Sequence, residues 1–131
     1  MARPTTIYIF DKGDQSQYAA LQVMRHTTHS RSIYCADTKQ GLEDLFVRAK
    51  PDFLFVDLFN EGKYEPEATS AYNWAREQIK QPSDRFEAWH IGKQGTQIGS
   101  LPRGLYLERD AKIISKMEEL ICRWEDNPQL R

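Results

Sequence analysis

The chain predicts an α/β domain: a doubly wound, five-stranded parallel sheet with helices on both faces. Three observations point there. Short, wholly apolar runs such as Ile7-Tyr8-Ile9-Phe10 and Phe53-Leu54-Phe55-Val56 read as strands covered on both sides. Between them, apolar residues recur at helical spacing, as at Leu42, Leu45, Phe46 and Ala49. The length, 131 residues, suits one domain with one buried core.

The elements follow in order. The first strand, residues 7–10, ends at Asp11, and Lys12, Gly13, Asp14 and Gln15 form a loop. Ser16 then caps a helix running to about Thr27, with Ala20, Val23 and Met24 turned inward. Residues 32–36 make a shorter second strand. Asp37 and Thr38 are helix-capping types. The helix they open carries the stripe from Leu42 to Ala49 until Pro51 stops it, because the residue before proline avoids helical geometry. Residues 53–56 are the central strand, followed by Asp57.

A polar loop over 60–65 contains Gly62, and Pro66 opens a helix to about Lys80 with Ala68, Ala71, Tyr72, Ala75 and Ile79 inward. Residues 86–91 form a fourth strand despite Glu87 and His90. Residues 92–103 are a glycine-rich loop or a single helical turn, and 105–107 a brief fifth strand. Asp110 caps a last helix whose apolar face is Ile113, Ile114, Met117, Leu120, Ile121 and Trp124. Residues 1–124 are taken as the domain and 125–131 as a frayed polar tail. Strands alternating with helices argue for a parallel sheet. At this size right-handed crossovers favour the strand order 2-1-3-4-5.

Composition narrows the function. Lys and Arg total 18 and Asp and Glu 19, a formal net charge of -1, and no basic run makes a nucleic-acid footprint. No apolar stretch approaches the roughly 20 residues that span a bilayer. The start of the chain has no signal-peptide pattern. Two lone cysteines, Cys35 and Cys122, without metal-type spacing, fit reduced thiols in a cytoplasmic protein. Cys35 is expected to face the core. Trp124 belongs to the apolar stripe of the last helix. Trp74 and Trp89, if exposed, would mark a partner surface.

In an open parallel sheet, ligands bind beyond the carboxyl ends of the strands, at the point where the strand order reverses. Here that point lies between strands one and three, which end at Asp11 and Asp57. Two carboxylates on one rim repel unless a cation lies between them or one holds a proton. An oxygen-only ligand set of this kind suits Mg²⁺.

These residues resemble a response-regulator receiver domain. The segment Pro51-Asp52-Phe53-Leu54-Phe55-Val56-Asp57-Leu58 is similar to the receiver strand that delivers a phosphoacceptor aspartate, and Asp57 matches that aspartate. Ile7 to Asp11 resembles the first strand and its acidic end. Leu105-Tyr106-Leu107-Glu108-Arg109 resembles the fifth strand, in which an aromatic residue precedes a lysine by three positions, and Arg109 takes the lysine seat. The resemblance implies a flavodoxin-like, CheY-like fold. It also implies two-component phosphorelay signalling, with Asp57 as phosphoacceptor and Asp11 and Asp57 as Mg²⁺ ligands.

The departures are specific. The second acid after strand one is replaced by Lys12, which cannot coordinate a metal. Asp14 is the nearest substitute. The hydroxyl residue that closes strand four is replaced by Ile91-Gly92, with Thr96 the nearest hydroxyl. Arg109 keeps the lysine's charge with a different geometry, Asp110 stands where a proline is usual, and the fourth helix is shortened or lost. The pattern is that of an atypical or pseudo-receiver with a weak Mg²⁺ site at most. It is expected to act by protein-protein contact, as half of a homodimer or of a heteromeric switch, with a histidine kinase or downstream signalling protein as partner. A working Asp57 phosphoacceptor is the first rival. A small nucleotide-binding sensor or enzyme using the loop from Gly92 to Gly99 is the second. That loop lacks the GxxxxGK[ST] order, and no Ser-His-Asp or Cys-His arrangement argues for an enzyme. His26 and His29, three apart, fall near the end of the first helix, where a cation is favoured without any metal.

Overall fold

A computed structural model describes residues 4–22, 30–78, 86–92 and 105–127. In chain order it contains β1 (Thr5–Phe10), a 3-10 helix (Gln15–Gln22), β2 (Arg31–Ala36), α1 (Lys39–Arg48), β3 (Phe53–Asp57), β4 (Phe59–Asn60) and β5 (Lys63–Tyr64). Then come α2 (Pro66–Arg76), β6 (Glu87–Gly92), β7 (Leu105–Glu108) and α3 (Ile113–Glu125). Five strands pair in parallel in the order β2-β1-β3-β6-β7, with β4 and β5 set apart as a small antiparallel hairpin. Counting only the strands of the main sheet, this is the expected order 2-1-3-4-5.

The two-residue period of the strands divides the core in two. Tyr8, Phe10, Leu54 and Val56 point to one face, where Leu42 of α1 and Ala68, Ala71, Tyr72 and Ala75 of α2 cover them. Ile7, Ile9, Phe53 and Phe55 point to the other, under Tyr18 and Leu21 of the 3-10 helix and Ile113, Met117 and Ile121 of α3. Phe53 and Phe55 are fully buried and stack with ring centroids 5.8 Å apart. Each contributes roughly 1.5–3 kcal/mol by leaving water.

Local chemistry shifts several expected details. The first helix is a 3-10 helix, so its inward residues are Tyr18 and Leu21, three apart, and Ala20 is exposed. Its cap is Asp14, whose carboxylate accepts from the Ser16 amide at 2.9 Å and the Ser16 hydroxyl at 2.6 Å. Thr38 does cap α1, accepting from the Gly41 amide at 2.9 Å. That helix stops one residue before Ala49, which is extended and exposed. The expected loop over 60–65 is the β4–β5 hairpin. Glu61 (φ 52) and Gly62 (φ 80) both take left-handed geometry at its turn, the conformation that matches the twist of a two-residue hairpin.

Asp110 accepts from the Lys112 amide at 2.8 Å, ahead of the first turn of α3. Cys35 lies exposed on the edge strand β2 rather than in the core. The three tryptophans are all partly buried: Trp74 meets the Phe46 ring edge-on, Trp124 meets Phe53, and the Trp89 indole donates to Glu87 at 2.9 Å. The expectations for Val23, Met24, His26, Thr27, His29, Ile79, Lys80, the loop after Gly92 and residues 128–131 lie outside the described residues. Among the described residues no helix is long and apolar enough to cross a membrane.

At the amino ends of the strands a charged clasp replaces the expected start of the polar tail. Glu125 is the last residue of α3 and is buried, not frayed. Its carboxylate accepts from Arg31 at 2.7 Å and from the Thr5 hydroxyl at 2.7 Å. Arg31 also pairs with Glu118 and donates to the Leu21 carbonyl at 2.8 Å. The Arg31 and Glu125 side chains are wholly buried, so removing Arg31 strands the Glu125 charge. Arg31→Ala is expected to destabilise the fold by about 3–5 kcal/mol in urea unfolding. The exposed-pair change Arg123→Ala should cost less than about 1 kcal/mol.

Candidate functional site

The carboxyl ends of β1 and β3 lie side by side because the two strands pair in register through Phe10 and Val56. The residues that follow are Asp11 and Asp57, both buried at 2% exposure. Arg109 follows β7, and its backbone N–H donates to the Gly92 carbonyl at 2.8 Å, which fixes where its side chain starts. From there the guanidinium reaches over β6 and pairs with Asp57. Asp57, Asp11 and Arg109 therefore meet, with Arg109 pointing into the acidic pocket.

Every carboxylate oxygen of the two aspartates accepts a hydrogen bond. On Asp11, Oδ1 accepts from the Gly13 amide at 2.7 Å and Oδ2 from the Gln17 side-chain amide at 3.2 Å. On Asp57, Oδ1 accepts from the Phe59 amide at 3.0 Å and Oδ2 from Arg109 Nη1. The other fork of Arg109, Nη2, donates to the Gln17 side-chain oxygen Oε1 at 3.4 Å. Gln17 thus links the guanidinium to Asp11. The Tyr18 hydroxyl is buried close to the guanidinium but outside hydrogen-bonding geometry. Above the group opens a cleft of about 350 Å³ lined by Asp11, Asp14, Gln17, Asn60, Glu61 and Arg109, among others.

Lys12 is not part of this group. It pairs with Glu67 of α2 at 2.7 Å, which raises its pKa and lowers that of Glu67. Asp14 stays at the cleft edge, held by its bonds to Ser16. The seat at the end of β6 is closed to a hydroxyl residue. A Cβ on Gly92 would sit 3.0 Å from the Phe59 ring, so the glycine is what lets the hairpin approach. Tyr106 is tied locally, its hydroxyl to the Gly92 carbonyl at 2.8 Å and to Glu108 at 2.5 Å. Gln17, Tyr18 and Phe59 carried no signal as site residues. Only the spacing of Tyr18 and Leu21, three rather than four, hinted that the 3-10 helix turns Tyr18 inward.

The electrostatics follow from burial. Desolvation pushes Asp57 up to about 6. The Phe59 amide and the Arg109 charge pull it down, and Asp11 adds to the rise. Burial opposes the charge of Arg109, yet Asp57, Tyr18 and Asp11 together hold its pKa above the usual value. Tyr18 is raised, first by burial and then by the two aspartates.

The fit of these residues to Mg²⁺ follows from the same bonds. The ion takes near-octahedral oxygen ligands, through one or two carboxylates and several waters. Among the described residues no three His, Cys, Asp or Glu side chains gather as a ligand set. Each oxygen of Asp11 and Asp57 already accepts from an amide or the guanidinium, and Arg109 brings its positive charge to the place the ion would take. With Arg109 seated, they do not fit the ion.

No family model matches the chain, and no curated protein does. Solved structures do. A CheY-like receiver domain from Methylobacillus flagellatus superposes with a TM-score of 0.59 at 11% identity, covering 92% of this chain and 98% of that one. The fold is that of a receiver domain. The receiver domain of a DNA-binding response regulator from Colwellia psychrerythraea 34H gives a TM-score of 0.55 at 14% identity, covering 91% of this chain and 98% of that one. A Saccharomyces cerevisiae co-crystal structure of the phosphotransfer protein Ypd1 with the receiver domain of its downstream response regulator Ssk1 gives 0.58 at 14%, covering 95% and 91%. On the receiver fold, Asp57 ends the central strand and Arg109 follows the fifth strand of the sheet, as the sequence resemblance placed them.

A raised Asp57 binds a proton more readily in the folded state than in the unfolded one. Its contribution therefore stabilises the fold below about pH 4 and is lost as the pH rises through about 6. The stability of the wild type minus that of Asp57→Asn should fall by about 3 kcal/mol across that window. Urea unfolding of both proteins at a series of pH values reads this, and a flat difference would reject it.

Proposed function

We propose that this receiver-fold domain signals through protein-protein contacts, without phosphorylation, and that its acidic pocket is degenerate. The observation that carries the reading is the Arg109 guanidinium seated on a buried Asp57 whose other oxygen is held by the Phe59 amide. Phosphoryl transfer needs a carboxylate able to attack, with a metal and fixed positive charge arranged around the transferring group. Here the attacking oxygen is paired, the second acid is Lys12 drawn off to Glu67, and the hydroxyl seat is filled by Gly92 under Phe59.

The partner is a protein. In the yeast complex a receiver domain is bound to a histidine phosphotransfer protein. A histidine kinase, a phosphotransfer protein of that kind or a downstream signalling protein suits this domain, as does a second copy of the chain. The composition suits a cytoplasmic setting. A second reading, Asp57 as an Mg²⁺-dependent phosphoacceptor, is favoured by one feature: Asp57 ends the central strand beside the end of β1, whose Asp11 lines an open cleft.

Intact-mass spectrometry after incubation with acetyl phosphate and Mg²⁺ separates the two. The unmodified mass alone is expected for wild type and for Asp57→Ala. A single phosphoryl adduct on wild type that is missing from Asp57→Ala would replace the first reading by the second.

A further inference from the structure

We propose that Arg109 and Gln17 together form a built-in substitute for a divalent cation, spanning the two aspartates of the pocket and keeping a latent metal site closed. This rests on the degenerate-pocket reading and says what closes the pocket.

The bridge is continuous. Arg109 Nη1 holds Asp57, Nη2 donates to Gln17 at 3.4 Å, and the Gln17 amide donates to Asp11 at 3.2 Å. A planar fork with donors on separate nitrogens reaches Asp57 and Gln17 at once in a fixed geometry that a lysine ammonium lacks. Gln17 suits the relay because an amide both accepts and donates. It is delivered by the 3-10 helix, which Asp14 caps and Tyr18 anchors in the core.

Charge counting agrees. Asp11 and Asp57 carry two negative charges and Arg109 one positive, so one negative charge remains. A divalent ion added to that inner set of three groups would leave it positive, with the ion held against the Arg109 guanidinium. Without Arg109 the two carboxylates match a divalent ion in charge, and Asp57 Oδ2 is released as a ligand. Lys12 does not replace the missing cation, because Glu67 holds it. Asn60 and Glu61 line the same cleft and supply further oxygens at its edge.

The test is a titration of the full chain with Mn²⁺, and with Mg²⁺ in competition, read by paramagnetic broadening of the Gly13 and Phe59 amide signals. Arg109→Gln is the main variant, since it keeps bulk and polarity; Arg109→Ala is the second, and circular dichroism checks that each is folded. Arg109→Gln is expected to bind Mn²⁺ saturably and about ten-fold or more tightly than wild type. Mg²⁺ should displace the Mn²⁺, and adding Asp57→Asn should abolish binding. Equal affinity in wild type and Arg109→Gln would overturn the proposal, as would a folded Arg109→Gln that binds no metal. The titration contains no phosphodonor, so its outcome stands apart from whether Asp57 accepts a phosphoryl group.

Discussion

Every residue of β3 is buried, and that single constraint places everything else. A strand covered on both faces cannot carry a charge along its length, so its first ionisable side chain appears where it leaves the sheet. Asp57 is that side chain. The parallel register brings the end of β1 and the start of the chain after β7 to the same rim. Asp11 and Arg109 therefore reach Asp57 without any long-range search by flexible loops. The pocket is a consequence of how the sheet hides its centre.

Once two acids share that rim, something must balance them. In this chain the balance is internal. A guanidinium takes Asp57, a glutamine amide takes Asp11, and two backbone amides take the remaining oxygens. Burial still wins at Asp57, whose proton affinity rises in spite of Arg109. The group is thus polar, satisfied and poorly hydrated, which favours a stable arrangement over one that turns over. The hairpin after Asp57 adds to this: Phe59 supplies an amide to the carboxylate and a ring that fills the space above Gly92.

Much of this was legible in the chain. The runs at residues 7–10 and 53–56 announce a sheet covered on both faces, and the stripe of α3 from Ile113 to Trp124 is plain. Asp11 and Asp57 could be paired because strand ends and topology predict a shared rim, and the receiver resemblance added Arg109. What stayed hidden depends on tertiary partners. A 3-10 and an α-helix differ in spacing by less than one residue per turn, so Ala20 and Tyr18 exchange roles with little change in pattern. Gln17 has no signature, since the two bonds that make the bridge go to residues 6 and 92 positions away. Cys35 looks like core on apolarity alone, but an edge strand has only one neighbour. Glu125 looks like tail because a buried acid is legible only together with the arginine that neutralises it.

The two ends of the sheet are held by charges of different wetness. The clasp of Arg31 and Glu125 is dry, with both side chains wholly buried, whereas Arg109 in the pocket is 30% exposed. Mobile ions screen exposed charges and hardly reach buried ones. The clasp is thus indifferent to salt, and the pocket pair, with Asp57 only 1% exposed, feels it through the exposed side of Arg109. Changes in ionic strength act, to that extent, on one end of the open sheet while the other end stays put. The rim is also where a partner would read the pocket, so the medium around the protein can adjust the reading surface without loosening the fold that presents it.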